Sequence, residues 1–205
     1  TSDYYIISKW DGVIRDGSRI NFTMWNRYTF LYEDFDPSGT NNGESLPANS
    51  GYHYTNFDFS FDSDDSKDFN FKINPSFGKF YNGNKTSIDI ELTNRIGPKF
   101  ISSIEMKYDK VKLPAPYSSA NIFLIAPRLD FTFTKNLYLA TLFQYSNQDD
   151  NLSINTRLQW RFAPLSDLFI VYNDNYFTEN RYDSIFIPRV TSRSINLKLT
   201  YWLDI

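Results

Sequence analysis

The chain has 205 residues, a length that suits one domain of ordinary size, and its 21 basic against 24 acidic residues leave a net charge of -3. That balance, with an isoelectric point near 5.2, offers no polycationic surface and excludes nucleic acid as the expected partner. Zero cysteine removes disulfides, thiolate nucleophiles and cysteine-type zinc sites together, and no apolar run reaches the roughly 18 residues of a membrane-spanning helix.

Aromatic residues make up 19% of the chain, as 15 Tyr, 19 Phe and 4 Trp, and no window shows a 3.6-residue period. The pattern that does recur has period 2, which makes the expected fold all-β. Thr1-Ser2-Asp3 opens directly into structure with no signal-peptide pattern, so the chain is expected to be a mature product or a fragment. Tyr4 to Ile14 reads as a first strand closed by turn signals at Asp11-Gly12 and Asp16-Gly17. Ile20 to Tyr32 is clearer, with Ile20, Phe22, Met24, Tyr28, Phe30 and Tyr32 on one face, broken by Asn26. A long polar loop is expected near 34–50. Phe57, Phe59 and Phe61 then alternate with Asn56, Asp58 and Ser60, and Asp62 to Ser66 turns the chain. Phe69, Phe71, Ile73 and Phe77 continue opposite Asn70, Lys72, Asn74 and Ser76, and Tyr81-Asn82-Gly83-Asn84 signals a hairpin into Ile88, Ile90, Leu92 and Ile96.

Beyond the Gly97-Pro98 turn, Phe100, Ile104, Met106 and Tyr108 share a face, and a proline-containing loop is expected over 113–119. Asn121 to Phe133 is the next strand, with Pro127 on its apolar face, where a bulge or a gap in pairing is expected because proline has no N–H to give a ladder. Leu137 to Tyr145, Asn151 to Ala163 and Leu168 to Tyr172 form three long antiparallel strands, the last two joined by a turn over Pro164-Leu165-Ser166-Asp167. A loop near 178–187 precedes a last strand carrying Ile195, Leu197, Leu199, Tyr201 and Leu203. These alternations run for roughly nine to twelve residues, the length at which a tilted strand crosses a bilayer, against about five to six for a usual strand. Long and short connections take turns, and aromatics gather toward strand ends, as in outer-membrane barrels with girdles at both interfaces. Mean hydropathy of -0.47 fits a barrel, because lipid-facing and lumen-facing residues average out.

Phe77-Gly78-Lys79-Phe80-Tyr81-Asn82-Gly83, Leu142-Phe143-Gln144-Tyr145-Ser146, Asn155-Thr156-Arg157-Leu158-Gln159-Trp160 and Ser166-Asp167-Leu168-Phe169-Ile170-Val171-Tyr172-Asn173 together resemble a known family. It is the C-terminal barrel domain, of unknown function, of Bacteroidota outer-membrane proteins that often carry an N-terminal family-nine-like carbohydrate-binding domain. The resemblance covers residues 67 to 205 well and the first third more loosely; Pro164-Leu165-Ser166 stands where the family tends to have a proline-glycine pair. It implies an all-β, antiparallel transmembrane outer-membrane β-barrel of which this chain, a single domain over 1–205 with about 10–12 strands, is the C-terminal part. Loops 34–50, 113–119 and 178–187 would then be extracellular, and the protein would be a multi-pass component of a Gram-negative outer membrane. Single-chain bacterial barrels normally have even strand numbers, so with roughly eleven strands counted here either the first segment is not a spanning strand or the chain is the C-terminal part of a larger barrel.

Lys72, Asp89, Glu91, Arg95, Glu105, Lys107, Arg128, Asp130, Arg157, Arg161 and Lys198 all have the parity of the inward face. Charges at membrane depth must pair or be wet, and mixed signs fit a salt-bridged, water-filled or plugged interior better than a selective pore, which would carry a single-sign stripe. The loop aromatics Tyr117, Tyr176, Phe177, Tyr182 and Phe186 could stack on sugar rings, pack on a partner protein or cap the barrel, and Asp183-Ser184-Ile185 resembles a short Bacteroidota O-glycosylation motif. No catalytic residue is expected: His53 is the sole histidine and sits between Tyr52 and Tyr54, and Asp58, Asp62, Asp64 and Asp65 read as solvated. No metal or other cofactor is expected either, because Glu33, Asp34, Asp36, Asn41, Asn42 and Glu44 lack the spacing of a known calcium loop. The expected partners are outer-membrane lipid, other outer-membrane proteins and glycan. The expected role is non-enzymatic, in glycan or nutrient handling or as an accessory subunit of an outer-membrane complex. A barrel hydrolase and a soluble glycan-binding β-sandwich are the alternatives.

Overall fold

The computed structural model describes residues 3–39, 44–178 and 189–203, all of them in strands and their connections. Eleven strands follow one another: β1 (Asp3–Val13), β2 (Arg19–Leu31), β3 (Ser50–Asp62), β4 (Phe69–Phe80), β5 (Gly83–Ile96), β6 (Phe100–Lys112), β7 (Ala120–Thr134), β8 (Leu137–Ser146), β9 (Asn151–Ala163), β10 (Ser166–Phe177) and β11 (Arg189–Thr200). They form one antiparallel sheet in sequence order, and among the described residues no ladder joins β1 to β11. The strands run from 10 residues in β8 to 15 in β7, at least as long as the alternation predicts.

Two compact units divide the chain: one holds 1–91 and 106–123, the other 92–105 and 124–205. In the first, β1, β2 and β3 pair without a break, from Asp3↔Thr29 to Val13↔Arg19 and from Arg19↔Asp62 to Leu31↔Ser50. This register sorts the side chains as the period predicts. Ile20, Phe22 and Met24 lie beside Phe61, Phe59 and Phe57 on one face, while Asn21 and Thr23 lie beside Ser60 and Asp58 on the other. Aromatic contacts run across the apolar face, Trp10 to Phe22, Phe22 to Phe57 and Phe57 to Phe77, with ring centroids 5.4, 6.2 and 5.6 Å apart.

The β3–β4 seam is less complete. Pairing covers Asn56–Asp58 with Ser76–Gly78 and Phe61–Asp62 with Lys72–Ile73, skips the residues between, and does not continue past Asn56↔Gly78 although both strands do. Pro75 lies in the skipped part and has no N–H to donate. Gly78 has φ +151, and a Cβ there would stand 2.5 Å from the Thr55 carbonyl oxygen and from Asn56 Cα, so the backbones approach at a distance only glycine allows.

In the second unit β7, β8, β9, β10 and β11 pair in order. The ladder between β7 and β8 passes from Ile125↔Tyr145 to Arg128↔Leu142 and omits Ala126 and Pro127, the gap expected at that proline. Three expectations change, the first being that β11 ends at Thr200, so Tyr201 and Leu203 lie beyond the last strand. The turn after β9 is only 164–165, with Leu165 at φ 56, because Ser166 and Asp167 already pair in β10. Tyr176 and Phe177 belong to β10 itself and are not loop residues.

Burial is unlike that of a two-layer protein. Among the described residues the buried apolar side chains are Leu31, Leu46, Val111, Leu113, Ala120 and Ala126, whereas Trp10, Phe69, Phe77, Ile195, Leu197 and Leu199 on the apolar parity are exposed. In the first unit the buried residues sit at the loop end of the strands. Leu46 pairs with Phe35 inside the 32–49 connection, which folds back as a bridged hairpin, and Val111, Leu113 and Ala120 enclose the 113–119 turn with Tyr117 packed on them.

Candidate functional site

The polar face of the first unit carries an open concavity. An open depression of about 400 Å³ is bordered by Asn21 and Thr23 of β2, Asp58 and Ser60 of β3, Asn74 and Ser76 of β4, Lys85, Ser87 and Asp89 of β5, and Lys107 and Asp109 of β6. Each takes its place through the pleat, because alternate residues of neighbouring strands share a face. The depression lies along the interrupted β3–β4 seam, where Pro75 breaks the ladder.

Its polar groups are bound in a definite order. Asn21 Nδ2 donates to Ser60 Oγ at 2.8 Å. Asp58 accepts from the Trp25 indole N–H at 2.6 Å and from Asn56 Nδ2 at 3.3 Å. Lys85 Nζ lies 2.9 Å from Asp109 Oδ2, and Asp109 Oδ1 is buried without a partner. Arg27 stacks over the Trp25 ring with its guanidinium carbon 4.3 Å from the centroid, and its Nε is likewise buried and unpartnered. Carboxylates and cations therefore alternate around the depression. With Asp58 engaged by N–H donors and Asp109 by a lysine, the arrangement presents hydrogen-bonding groups of both kinds.

Of the charged residues expected on the inward face, Lys72 and Glu91 are an ion pair at 2.8 Å in the first unit. In the second, Arg128 Nε donates to both oxygens of Asp130 at 3.1 and 2.9 Å, and Tyr138 donates to Asp130 at 2.9 Å. Arg161 pairs with Asp167 at 3.2 Å. Arg157 lies between Ala140 and Val171, and Lys198 lies opposite Phe169, both exposed. Arg95 is on β5, and Glu105 is exposed on β6. Asp89 and Lys107 of the same set border the depression together. Parity finds them because it reports a face, whereas the depression depends on which four or five strands meet.

The aromatics separate in the same way. Tyr117 packs inside the rim cluster. Tyr182 and Phe186, the 183–185 motif and Asn41 and Asn42 lie outside the described residues. Tyr176 has another role: its hydroxyl and that of Tyr172 each donate to Asp174 Oδ2 at 2.6 Å, and Arg193 reaches the same oxygen at 3.0 and 2.7 Å. Asp174 is 1% exposed although it shares the parity of Leu168 and Ile170. This cluster escaped the sequence reading, although a charged residue on an apolar parity near a strand end was its visible sign. His53 packs on Tyr28 and Tyr4, with centroids 4.5 and 6.0 Å away. Asp62 and Asp65 both face Arg19, at 3.7 and 3.5 Å. Among the described residues no three His, Asp, Glu or Cys side chains are grouped to hold a metal ion.

Tyr81, in the 81–82 turn, is ringed by Phe35, Tyr52 and Tyr54 with centroids 5.4, 5.6 and 5.5 Å away. Burial pushes its phenol up to about 12, with Tyr54 and Asp3 adding to the rise and Arg27 opposing it. Comparison with protein-family models, with curated proteins and with solved structures gives no match.

Proposed function

We propose that the chain is a non-enzymatic outer-membrane β-barrel of a Gram-negative bacterium, or the C-terminal part of a larger one, that handles a polar nutrient or glycan, alone or as an accessory subunit. What carries the reading is the exposed apolar face. Rows such as Trp10, Phe59 and Phe77 in the first unit and Ile195, Leu197 and Leu199 in the second stand in solvent, where a soluble protein rarely leaves contiguous apolar area. A lipid surface covers such a face, while a β-sandwich would bury it against a second sheet. The opposite face, with its alternating charges and hydrogen-bonded depression, suits a wet lumen. The resemblance of the 77–83, 142–146, 155–160 and 166–173 segments to the Bacteroidota barrel domain points the same way, and the odd count of eleven strands fits a barrel completed by others.

The test is gel mobility of protein extracted from outer membranes in detergent, with and without boiling in SDS. A band that shifts on heating is the expected outcome. Protein that stays in solution without detergent and runs at one position regardless of heating would sink the membrane reading.

A further inference from the structure

The β3–β4 seam of the first unit has a second opening besides the polar depression. Where the ladder stops at Asn56↔Gly78, a smaller hollow of about 190 Å³ lies beside Arg27, Tyr54, Asp58, Lys79, Phe80 and Lys85. A further hollow of about 320 Å³ is bordered by Tyr4, Ile6, Asn26, His53 and Thr55, and again by Arg27, Tyr54 and Lys79. Tyr4, Ile6, Asn26 and His53 share the face of Phe22 and Met24, whereas Tyr54 and Asp58 share the opposite one. The two hollows therefore approach from opposite faces of the sheet and share Arg27 and Tyr54, which are partners across β2 and β3, and Lys79 of β4 just past the end of the β3–β4 ladder.

The charge at this throat is one-sided. Arg27 and Lys79 make no ion pair among the described residues, and Arg27 Nε is buried without a hydrogen-bond partner. Lys85 is neutralised by Asp109. The one carboxylate beside the throat, Asp58, already accepts from Trp25 and Asn56, and no acidic residue borders the hollow on the apolar side. Two cations left over next to an apolar surface fit a ligand that is anionic at one end and aliphatic at the other.

We propose that the β3–β4 seam is a lateral slot that binds a single-chain anionic amphiphile, its headgroup between Arg27 and Lys79 and its chain along Tyr4 and Ile6 on the apolar face. The proposal rests on the membrane reading above, since it takes that face as the lipid side. Both features that open the slot are local: Pro75 lacks an N–H, and Gly78 lets β4 cross close to Thr55 where the ladder ends.

The experiment measures retention of radiolabelled oleate by the purified protein in a neutral detergent, with oleyl alcohol and acetate as competitors. Oleate binds saturably, and oleyl alcohol, which has the chain without the charge, competes at least about tenfold less well, as the loss of a charge-assisted hydrogen bond requires. Arg27→Gln and Lys79→Gln each weaken oleate by about tenfold, whereas Lys135→Gln, in the 135–136 turn, changes nothing. Each variant is checked for the heat-dependent gel shift, and if one fails to fold the other carries the test. Equal competition by oleyl alcohol, or full oleate affinity in a folded Lys79→Gln, overturns the slot while leaving a heat-shifting barrel intact. Charge-dependent oleate binding by protein with no heat shift supports the slot and removes the barrel.

Discussion

Replacing Gly78 by alanine separates two costs that coincide at this position. With φ +151 the backbone lies in a region that residues with a Cβ avoid, worth about 1–3 kcal/mol of strain. The added Cβ would also stand 2.5 Å from the Thr55 carbonyl oxygen and from Asn56 Cα. Those are backbone atoms of a paired strand and cannot rotate away, so overpacking adds about 1–3 kcal/mol more. The expected loss is about 2–6 kcal/mol, a large part of the 5–15 kcal/mol typical of a folded protein. Two other glycines calibrate it. Gly97 has φ +58 with nothing within 4 Å of the added atom, so Gly97→Ala isolates the dihedral cost, about 1–2 kcal/mol. Gly12 meets only the Ile20 carbonyl oxygen at 3.9 Å and has no positive φ, so Gly12→Ala is neutral or stabilising by up to about 1 kcal/mol. Denaturant unfolding in detergent micelles, followed by tryptophan emission, orders the three. If Gly78→Ala unfolds at the same midpoint as Gly97→Ala, the close approach of β4 to β3 is wrong, and with it the origin of the slot.

Leu46 is fully buried within the 32–49 connection, so Leu46→Ala should cost that hairpin about 2–5 kcal/mol. Limited proteolysis should then cut within 32–49 while the strands resist; strands cut at the same rate would refute a local role. Trp25→Phe removes the indole donor from Asp58 and should lower stability by about 1–3 kcal/mol, an effect absent if the variant keeps the unfolding midpoint. Stability should also fall at both pH extremes. The Tyr81 phenol is raised in the folded state, so its contribution is complete below the ordinary value of 10 and is lost as pH climbs through about 12; Tyr81→Phe should remove that alkaline step from an unfolding titration. The Asp16 carboxylate is held low by the Ser18 amide and the Asp64 carboxylate by the Ser66 amide. Their contribution is present above the ordinary value of 3.8 and is lost as pH drops below it, a step that Asp16→Asn and Asp64→Asn should flatten.

Period 2 carries most of the strand plan in this sequence, because each strand has one face that water does not favour. It therefore places Phe57, Phe59 and Phe61 together and Asp58 opposite them without knowledge of any neighbour. Where both parities are polar the signal fades: Asn173, Asp174 and Asn175 hide the last turn of β10, and the expected strand stops at Tyr172, five residues before Phe177. The depression is not readable in this way. Asn21, Asp58, Lys85 and Asp109 come from four strands, and only the register, set by how each connection closes, brings them within reach of one another. The Asp174–Arg193 pair is hidden for the same reason, compounded by the register shift between Asn175 and Tyr176.

Pro75 and Pro127 show how much depends on the surroundings of one missing N–H. Both lie on the apolar parity of a long strand, and both leave a gap in a ladder. At Pro127 the pairs on either side, Ile125↔Tyr145 and Arg128↔Leu142, keep the same register, and β7 continues pairing as far as Thr134↔Leu137. Two pairs, at Leu124 and Ile125, precede that gap, and a longer ladder runs from Arg128 to Thr134 beyond it. At Pro75 the ladder resumes for only Ser76, Phe77 and Gly78 before it ends. A short ladder between a proline and a glycine with positive φ has little to hold it, since each neutral backbone bond is worth only about 0.5–1.5 kcal/mol. Two residues that each lack something, an N–H at 75 and a Cβ at 78, thus place the one weak seam of the first unit's registered strands beside Arg27 and Lys79, two cations that make no ion pair among the described residues. That coincidence, rather than either cation alone, is why the slot and not the larger polar depression is the place to look for a bound amphiphile.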